Sequence, residues 1–222
     1  MEGRTPLNFQ ETISTELARD LAIRHIREDL AVKKAILGSP DLLDTVVQVG
    51  SEFTRVLQQG SKIFFFGNGG SAADAQHLAA ELMGRFERER HALPAIALTV
   101  NTSNLTAIGN DYGFDEVFSR QLEGLGARGD VAVGISTSGK SPNVLKALRS
   151  SRKMGLVTVA MTGQSCGEMA HVAEYCICVP STRTARVQEA HILIGHILCE
   201  FVEKSLAPKA GKPPNDGYFP ST

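Results

Sequence analysis

His77 and Glu81 stand one helical turn apart, just after the glycine-rich segment Gly67-Asn68-Gly69-Gly70-Ser71. Positions four apart share a helix face, so this imidazole and this carboxylate project together. Such a pair offers acid–base chemistry or two ligands for a divalent ion. Glu81 sits among Leu78, Ala79, Ala80, Leu82 and Met83, where an unpaired carboxylate would be costly to bury. From spacing alone, a solvated face carrying a weak His–Glu pair is the plainer expectation. Further on, Gln188, His191 and His196 lie on one predicted helix in an apolar stretch. Gln188 and His196 are about two turns apart, but spacing does not choose between the two histidines.

Two loops have the chemistry to hold a phosphate. Gly67-Asn68-Gly69-Gly70-Ser71 follows an apolar run at 63–66 and leads into a predicted helix over 71–86. Ser136-Thr137-Ser138-Gly139-Lys140-Ser141 follows a run at 131–135 and ends at Pro142, a favoured first helical residue. Hydroxyls and free backbone N–H groups at a helix N-terminus can surround a phosphate monoester. Both loops imitate other motifs. The first, extended to Ala72, fits a dinucleotide fingerprint, but the next strand ends Leu98-Thr99-Val100-Asn101, without the acid that would hold a ribose. The second, from Gly134 to Ser141, satisfies the P-loop pattern, yet none of the predicted strands ends in an aspartate for magnesium. A phosphorylated small molecule suits these loops better than a nucleotide.

The elements that must position these groups follow from periodicity. Residues 8–37 and 41–59 carry apolar positions mostly at three- and four-residue spacing, as amphipathic helices do. From there, near-continuous apolar runs at 63–66, 95–98, 131–135, 157–161 and 175–179 alternate with helical stretches. The predicted helices are 71–86, 102–108, 114–126, 142–154, 166–172 and 184–206. Strands apolar on both faces and separated by helices predict an α/β fold with a parallel sheet. Residues 1–60 read as a helical segment packed on the core, 61–206 as the main domain, and 207–222, rich in Pro and Gly, as a disordered tail.

Composition narrows the function classes. Lys and Arg total 23 against 24 for Asp and Glu, which argues against nucleic acid as a partner. No stretch approaches the ~20 apolar residues of a membrane helix, so the chain is expected to be cytoplasmic and without a membrane partner. The four cysteines include no Cys-x-x-Cys pair and are expected to be reduced thiols.

Four segments together resemble the sugar isomerase (SIS) domain family, and within it the phosphoheptose isomerases. They run from Gly67 to His77, from Leu105 to Gly113, from Ile135 to Ser141 and from Val187 to His191. The resemblance implies a flavodoxin-like five-stranded parallel sheet flanked by helices, with N-terminal assembly helices. It also implies a homotetramer with active sites at subunit interfaces. It implies a zinc ion, one per subunit, on His77, Glu81, Gln188 and His196, and so selects His196 over His191. Substrate contacts fall on Asn68, Gly69, Gly70, Glu81, Asn110, Asp111 and Gln188, with Ser136, Thr137, Ser138 and Ser141 on the phosphate. Ser71 and Arg85 are lesser contacts. The implied reaction is the aldose–ketose isomerisation of sedoheptulose 7-phosphate to D-glycero-D-manno-heptose 7-phosphate through an enediol(ate), with Glu81 as base and His196 as acid. A rival reading from the same family is a non-enzymatic tetramer that binds the replication initiator DnaA. That branch resembles this chain at Arg85-Phe86-Glu87-Arg88-Glu89-Arg90 but lacks the acid–base pair. A third is a sugar-phosphate sensor without turnover.

Overall fold

Five strands, β1 (Ile63–Gly67), β2 (Ala95–Ala97), β3 (Val131–Ser136), β4 (Val157–Thr162) and β5 (Tyr175–Cys178), lie parallel in the order β2-β1-β3-β4-β5 in the computed structural model, which describes residues 13–206. This is the expected flavodoxin-like order. Side chains alternate across β1 and divide the core in two. Ile63 and Phe65 pack with α2 (Pro40–Gln58), α3 (Gly70–Met83) and α8 (Thr184–Leu206), and Phe53 meets Phe65 edge to face at 6.3 Å. Phe64 and Phe66 face α5 (Ser119–Leu125), α6 (Pro142–Met154) and α7 (Met169–Val172), where Phe66 meets Phe118 at 5.5 Å. Each buried phenylalanine contributes about 1.5–3 kcal/mol. Because α3 and α8 cover the same face, residues more than a hundred positions apart become neighbours.

At the edges, α1 (Thr15–Leu37) begins with Ser14 accepting from the Leu17 N–H at 3.3 Å, and α4 (Thr102–Tyr112) runs four residues past its expected end. Residues 8–12 of the expected first helix and the expected tail at 207–222 lie outside the described residues.

Three further helices differ from expectation. The stretch 114–126 divides into a single 3-10 turn, Phe114–Glu116, and α5. The helix expected over 71–86 stops at Met83, because the Arg90 guanidinium takes the carbonyls of Glu81 and Leu82 at 2.8 and 2.9 Å. The stretch 166–172 shrinks to α7, since Cys166 and Gly167 adopt φ of 50° and 57°, which no right-handed helix allows. The cysteines also depart from the expectation of four reduced thiols. Cys166 and Cys178 form a disulfide, and only Cys176 and Cys199 are free. The pairing joins a loop after β4 to the end of β5, so no local spacing announces it.

Candidate active site

β1 and β3 are adjacent at the centre of the sheet, where the strand order reverses and ligands of such folds collect. Gly67 pairs with Ile135, so the loops after the two strands start side by side. Asn68 and Asn143 tie them together, each amide donating to the other's carbonyl at 2.9 and 3.0 Å. In the second loop, Ser136 Oγ lies 2.8 Å from Ser141 Oγ and 3.4 Å from Ser138 Oγ. Pro142 then opens α6 without an N–H of its own, and the Val144 N–H donates to Asn143 Oδ1 at 2.9 Å, so the loop's hydroxyls are the groups it offers an anion. Thr137 is half-buried in the same loop. Lys140 lines a different groove, with Lys146, Arg149 and Glu168, unlike the lysine of a nucleotide P-loop.

α3 starts at the first loop and carries His77 and Glu81; α8 crosses the same face with Gln188 and His196. The helices approach so closely that a Cβ on Gly195 would lie 2.5 Å from Leu78 Cδ2. That contact sets His77 Nε2 2.9 Å from His196 Nε2, while His77 Nε2 also lies 3.1 Å from Glu81 Oε1. One ring must donate and the other accept across the 2.9 Å contact. The solvent-facing His–Glu pair is present, and His196 joins it in a three-residue cluster whose ligand atoms all lie within 4.8 Å of one another. The Glu81 side chain keeps 24% of its exposure, so a small molecule can reach it. The Phe86 ring lies 5.4 Å from His196, centroid to centroid, and limits where that imidazole can turn.

His191 is elsewhere. It is fully buried, and its Nε2–H donates to the Thr162 carbonyl at 3.2 Å. Burial pushes its pKa down to about 4, with the Thr162 bond partly opposing. The imidazole is therefore neutral when folded, whereas the unfolded chain takes up a proton below its ordinary value. Stability is full above pH 6.5 and declines as pH falls toward 4. Urea unfolding at pH 5 is expected to give a free energy lower by about 2 kcal/mol than at pH 7, from roughly 1.5 pH units at ~1.4 kcal/mol each. A His191→Gln variant loses most of that difference; an unchanged difference would show that other groups carry it.

The remaining expected residues are not all gathered. Gln188 directs its carboxamide at Gly70, where a Cβ would lie 2.2 Å from Gln188 Nε2, so a larger residue there would push that amide aside. Asn110 and Asp111 bond to each other at 2.8 Å on α4, a helix with no buried residue. Ser71 is buried beneath the first loop, and Arg85 is exposed, 3.9 Å from Glu89.

Several residues of this region escaped the sequence reading. Glu203 is 1% exposed and accepts the N–H groups of Phe86, Glu87 and Arg88 at 3.0, 2.8 and 2.8 Å, together with Arg90 Nε at 3.1 Å. Burial pushes its carboxyl up, but those N–H groups and Arg90 outweigh it and hold the pKa below the ordinary range. Asp74, three residues before His77, has an Oδ2 without a hydrogen-bond partner among the described residues, and burial raises its pKa to about 6. Gly195 carried a readable signal, since a glycine inside a helix usually has a packing reason. Arg90 and Glu203 had none.

Two imidazoles and a carboxylate converging on one another match the donor set of a catalytic zinc site. The donors therefore fit a divalent ion, and the same carboxylate and imidazole can move protons.

The SIS domain family profile matches residues 40–163. A phosphoheptose isomerase from Aneurinibacillus thermoaerophilus is 51% identical over 182 residues, covering 82% of this chain and 92% of that relative. Among solved structures, phosphoheptose isomerase GmhA from Neisseria gonorrhoeae superposes with a TM-score of 0.79 at 42% identity, covering 84% of this chain and 99% of that one. A phosphoheptose isomerase from Francisella tularensis gives 0.80 at 33% identity, over 84% and 98%.

Proposed function

Since this chain belongs to the SIS domain family, among its phosphoheptose isomerases, we propose that it interconverts sedoheptulose 7-phosphate and D-glycero-D-manno-heptose 7-phosphate. It is an aldose–ketose isomerase. The observation that carries the residue assignments is that His77 and Glu81, on the helix that leaves the first phosphate-type loop, meet His196 of α8 within one chain.

Ser136, Thr137, Ser138 and Ser141, at the N-terminus of α6, hold the phosphate. Asn68, Gly69 and Gly70 line the path from there. Along α3, Gly70 and His77 are about 10 Å apart, seven residues at ~1.5 Å each. Glu81 removes the proton from the carbon next to the carbonyl and returns it to the neighbouring carbon. His196 donates a proton to the oxygen on which charge develops, and takes one back from the adjacent hydroxyl. Phe86 and His77 keep that imidazole in place. His77, Glu81 and His196, with the Gln188 amide, are the residues that would hold a zinc ion. A divalent ion there supplies polarisation of the carbonyl and hydroxyl oxygens.

Assembly as a homotetramer is supported by the apolar side chains left exposed on α1, among them Leu17, Ile26, Leu30 and Leu37. Asn110 and Asp111, exposed on a helix with no fully buried residue, are assigned to an active site shared between subunits. Residues 61–206 form the catalytic unit and 1–60 the assembly segment. A cytoplasmic location accords with the absence, among the described residues, of a helix long and apolar enough to cross a membrane. The initiator-binding alternative is not favoured, because the compared relatives are named isomerases.

The test is to incubate the purified chain with sedoheptulose 7-phosphate, with and without zinc, and follow the sugar by NMR. Aldose signals are expected. Their absence under both conditions would overturn the assignment.

A further inference from the structure

Where β4 ends, residues 163–168 turn back beneath the loop 136–141. The contact is backbone against backbone. A Cβ on Gly139 would lie 2.7 Å from the Cys166 carbonyl oxygen, and one on Gly167 would lie 2.5 Å from the Gly139 carbonyl oxygen. The Gly163 N–H also donates to the Thr137 carbonyl at 3.2 Å. Any shift of this turn therefore moves the hydroxyl-bearing loop above it. Cys166 is the one non-glycine among the described residues with positive φ, at 50°. A residue stays in that conformation only where its surroundings over-determine it. Its surroundings here include a covalent bond to Cys178 at the end of β5, and both cysteines are partly exposed.

We propose that Cys166 and Cys178 form a redox modification site: their disulfide locks the turn 163–168 beneath the phosphate loop, and its reduction loosens the grip on the substrate phosphate. This rests on the reading of residues 136–141 as the phosphate loop. Disulfides in reducing compartments are usually catalytic or redox-sensing rather than structural.

The exchange needs a dithiol as electron donor. One of its thiolates attacks a sulfur of the pair, forms a mixed disulfide and releases the other cysteine as a thiolate. The second dithiol sulfur displaces the remaining cysteine and closes a disulfide of its own. Two electrons and two protons pass to the protein, which ends with two thiols. A small-molecule disulfide reverses the exchange and regenerates the bond. Cys176 Sγ lies 3.5 Å from Cys178 Sγ and could divert the pairing. Burial pushes its thiol up to about 11, so it stays protonated at neutral pH and is a poor nucleophile.

The test uses the full chain, oxidised with a small-molecule disulfide or reduced with dithiothreitol. Free thiols are alkylated under denaturing conditions and counted by mass. Two are expected before reduction and four after it. In parallel, the affinity for inorganic phosphate and the KM and kcat for sedoheptulose 7-phosphate are measured in both states. Reduction is expected to weaken phosphate binding and raise KM by about 3- to 10-fold, with kcat nearly unchanged, as loss of uniform binding requires. Cys166→Ser is expected to show the reduced-state KM whether or not reductant is present, and Cys176→Ser to respond like the parent. Four free thiols after oxidation, or equal phosphate affinity in the two states, would overturn the proposal. Redox-dependent phosphate binding without turnover in either state would instead overturn the isomerase assignment and leave the switch standing.

Discussion

Glu81→Gln is expected to lower kcat for sedoheptulose 7-phosphate by about 10²–10⁴-fold, the contribution of a positioned general base. The substitution keeps shape and removes only the basic oxygen. An amide oxygen can still accept from His77, whose Nε2 lies 3.1 Å from the carboxylate. The structural role of this residue runs through its backbone, since its carbonyl accepts from Arg90 Nη2 at 2.8 Å, and the side chain is partly exposed. Stability is therefore expected to change by about 0.5 kcal/mol or less. Phosphate binding is expected to stay at the parental level, because the loop at 136–141 belongs to other elements. A carboxylate cannot serve at once as a tight metal ligand and as a free base, so zinc affinity must be measured beside turnover. A large loss of kcat with near-parental zinc binding supports the base. Turnover close to that of the parent would remove Glu81 from that role.

Glu203→Ala is expected to destabilise the fold by about 3–5 kcal/mol, the cost of breaking a buried ion pair by removing one partner. Arg90 is 3% exposed at its side chain and would keep its charge without a counter-ion. Three backbone N–H groups, of Phe86, Glu87 and Arg88, would lose their acceptor as well. The same loop presents Phe86 to His196, so kcat is expected to fall even at temperatures where the variant is folded. Urea unfolding reads the first effect and steady-state kinetics the second. A loss below about 1 kcal/mol, the scale of an exposed pair, would mean that the loop does not depend on this carboxylate. Because the folded pKa of Glu203 lies below the ordinary value, its contribution is present above that value. It is lost as pH falls through the folded one. The parent should therefore lose more stability in acid than the variant does.

The fold was largely legible. Phe64 and Phe66 on one face of β1, with Ile63 and Phe65 on the other, need helices on both sides, and the alternation of runs and helical stretches supplied them. Two of the misread stretches turn on details that periodicity does not carry: α3 ends where Arg90 takes its carbonyls, and α7 is short because Cys166 and Gly167 adopt positive φ. Within the site, His77 and Glu81 were legible because four-residue spacing is a local property of helices. The phosphate-type loop was legible because hydroxyls and a proline at a helix start are local too.

What the residues alone determined, then, is what short-range geometry governs: strands, most helix faces, the two loops and the shared face of His77 and Glu81. Spacing left His191 and His196 open and the family resemblance picked His196; the tertiary structure sets that imidazole, and not His191, beside His77. Both lie on the same helix at plausible spacing. One points into the sheet toward Thr162, and the other faces α3, where Gly195 brings the helices close enough for two imidazoles to meet. Nor could spacing pair Glu203 with Arg90 or Cys166 with Cys178. The reason is physical: side-chain direction along one helix repeats every 3.6 residues, but which neighbour it finds depends on how separate elements pack against a common sheet.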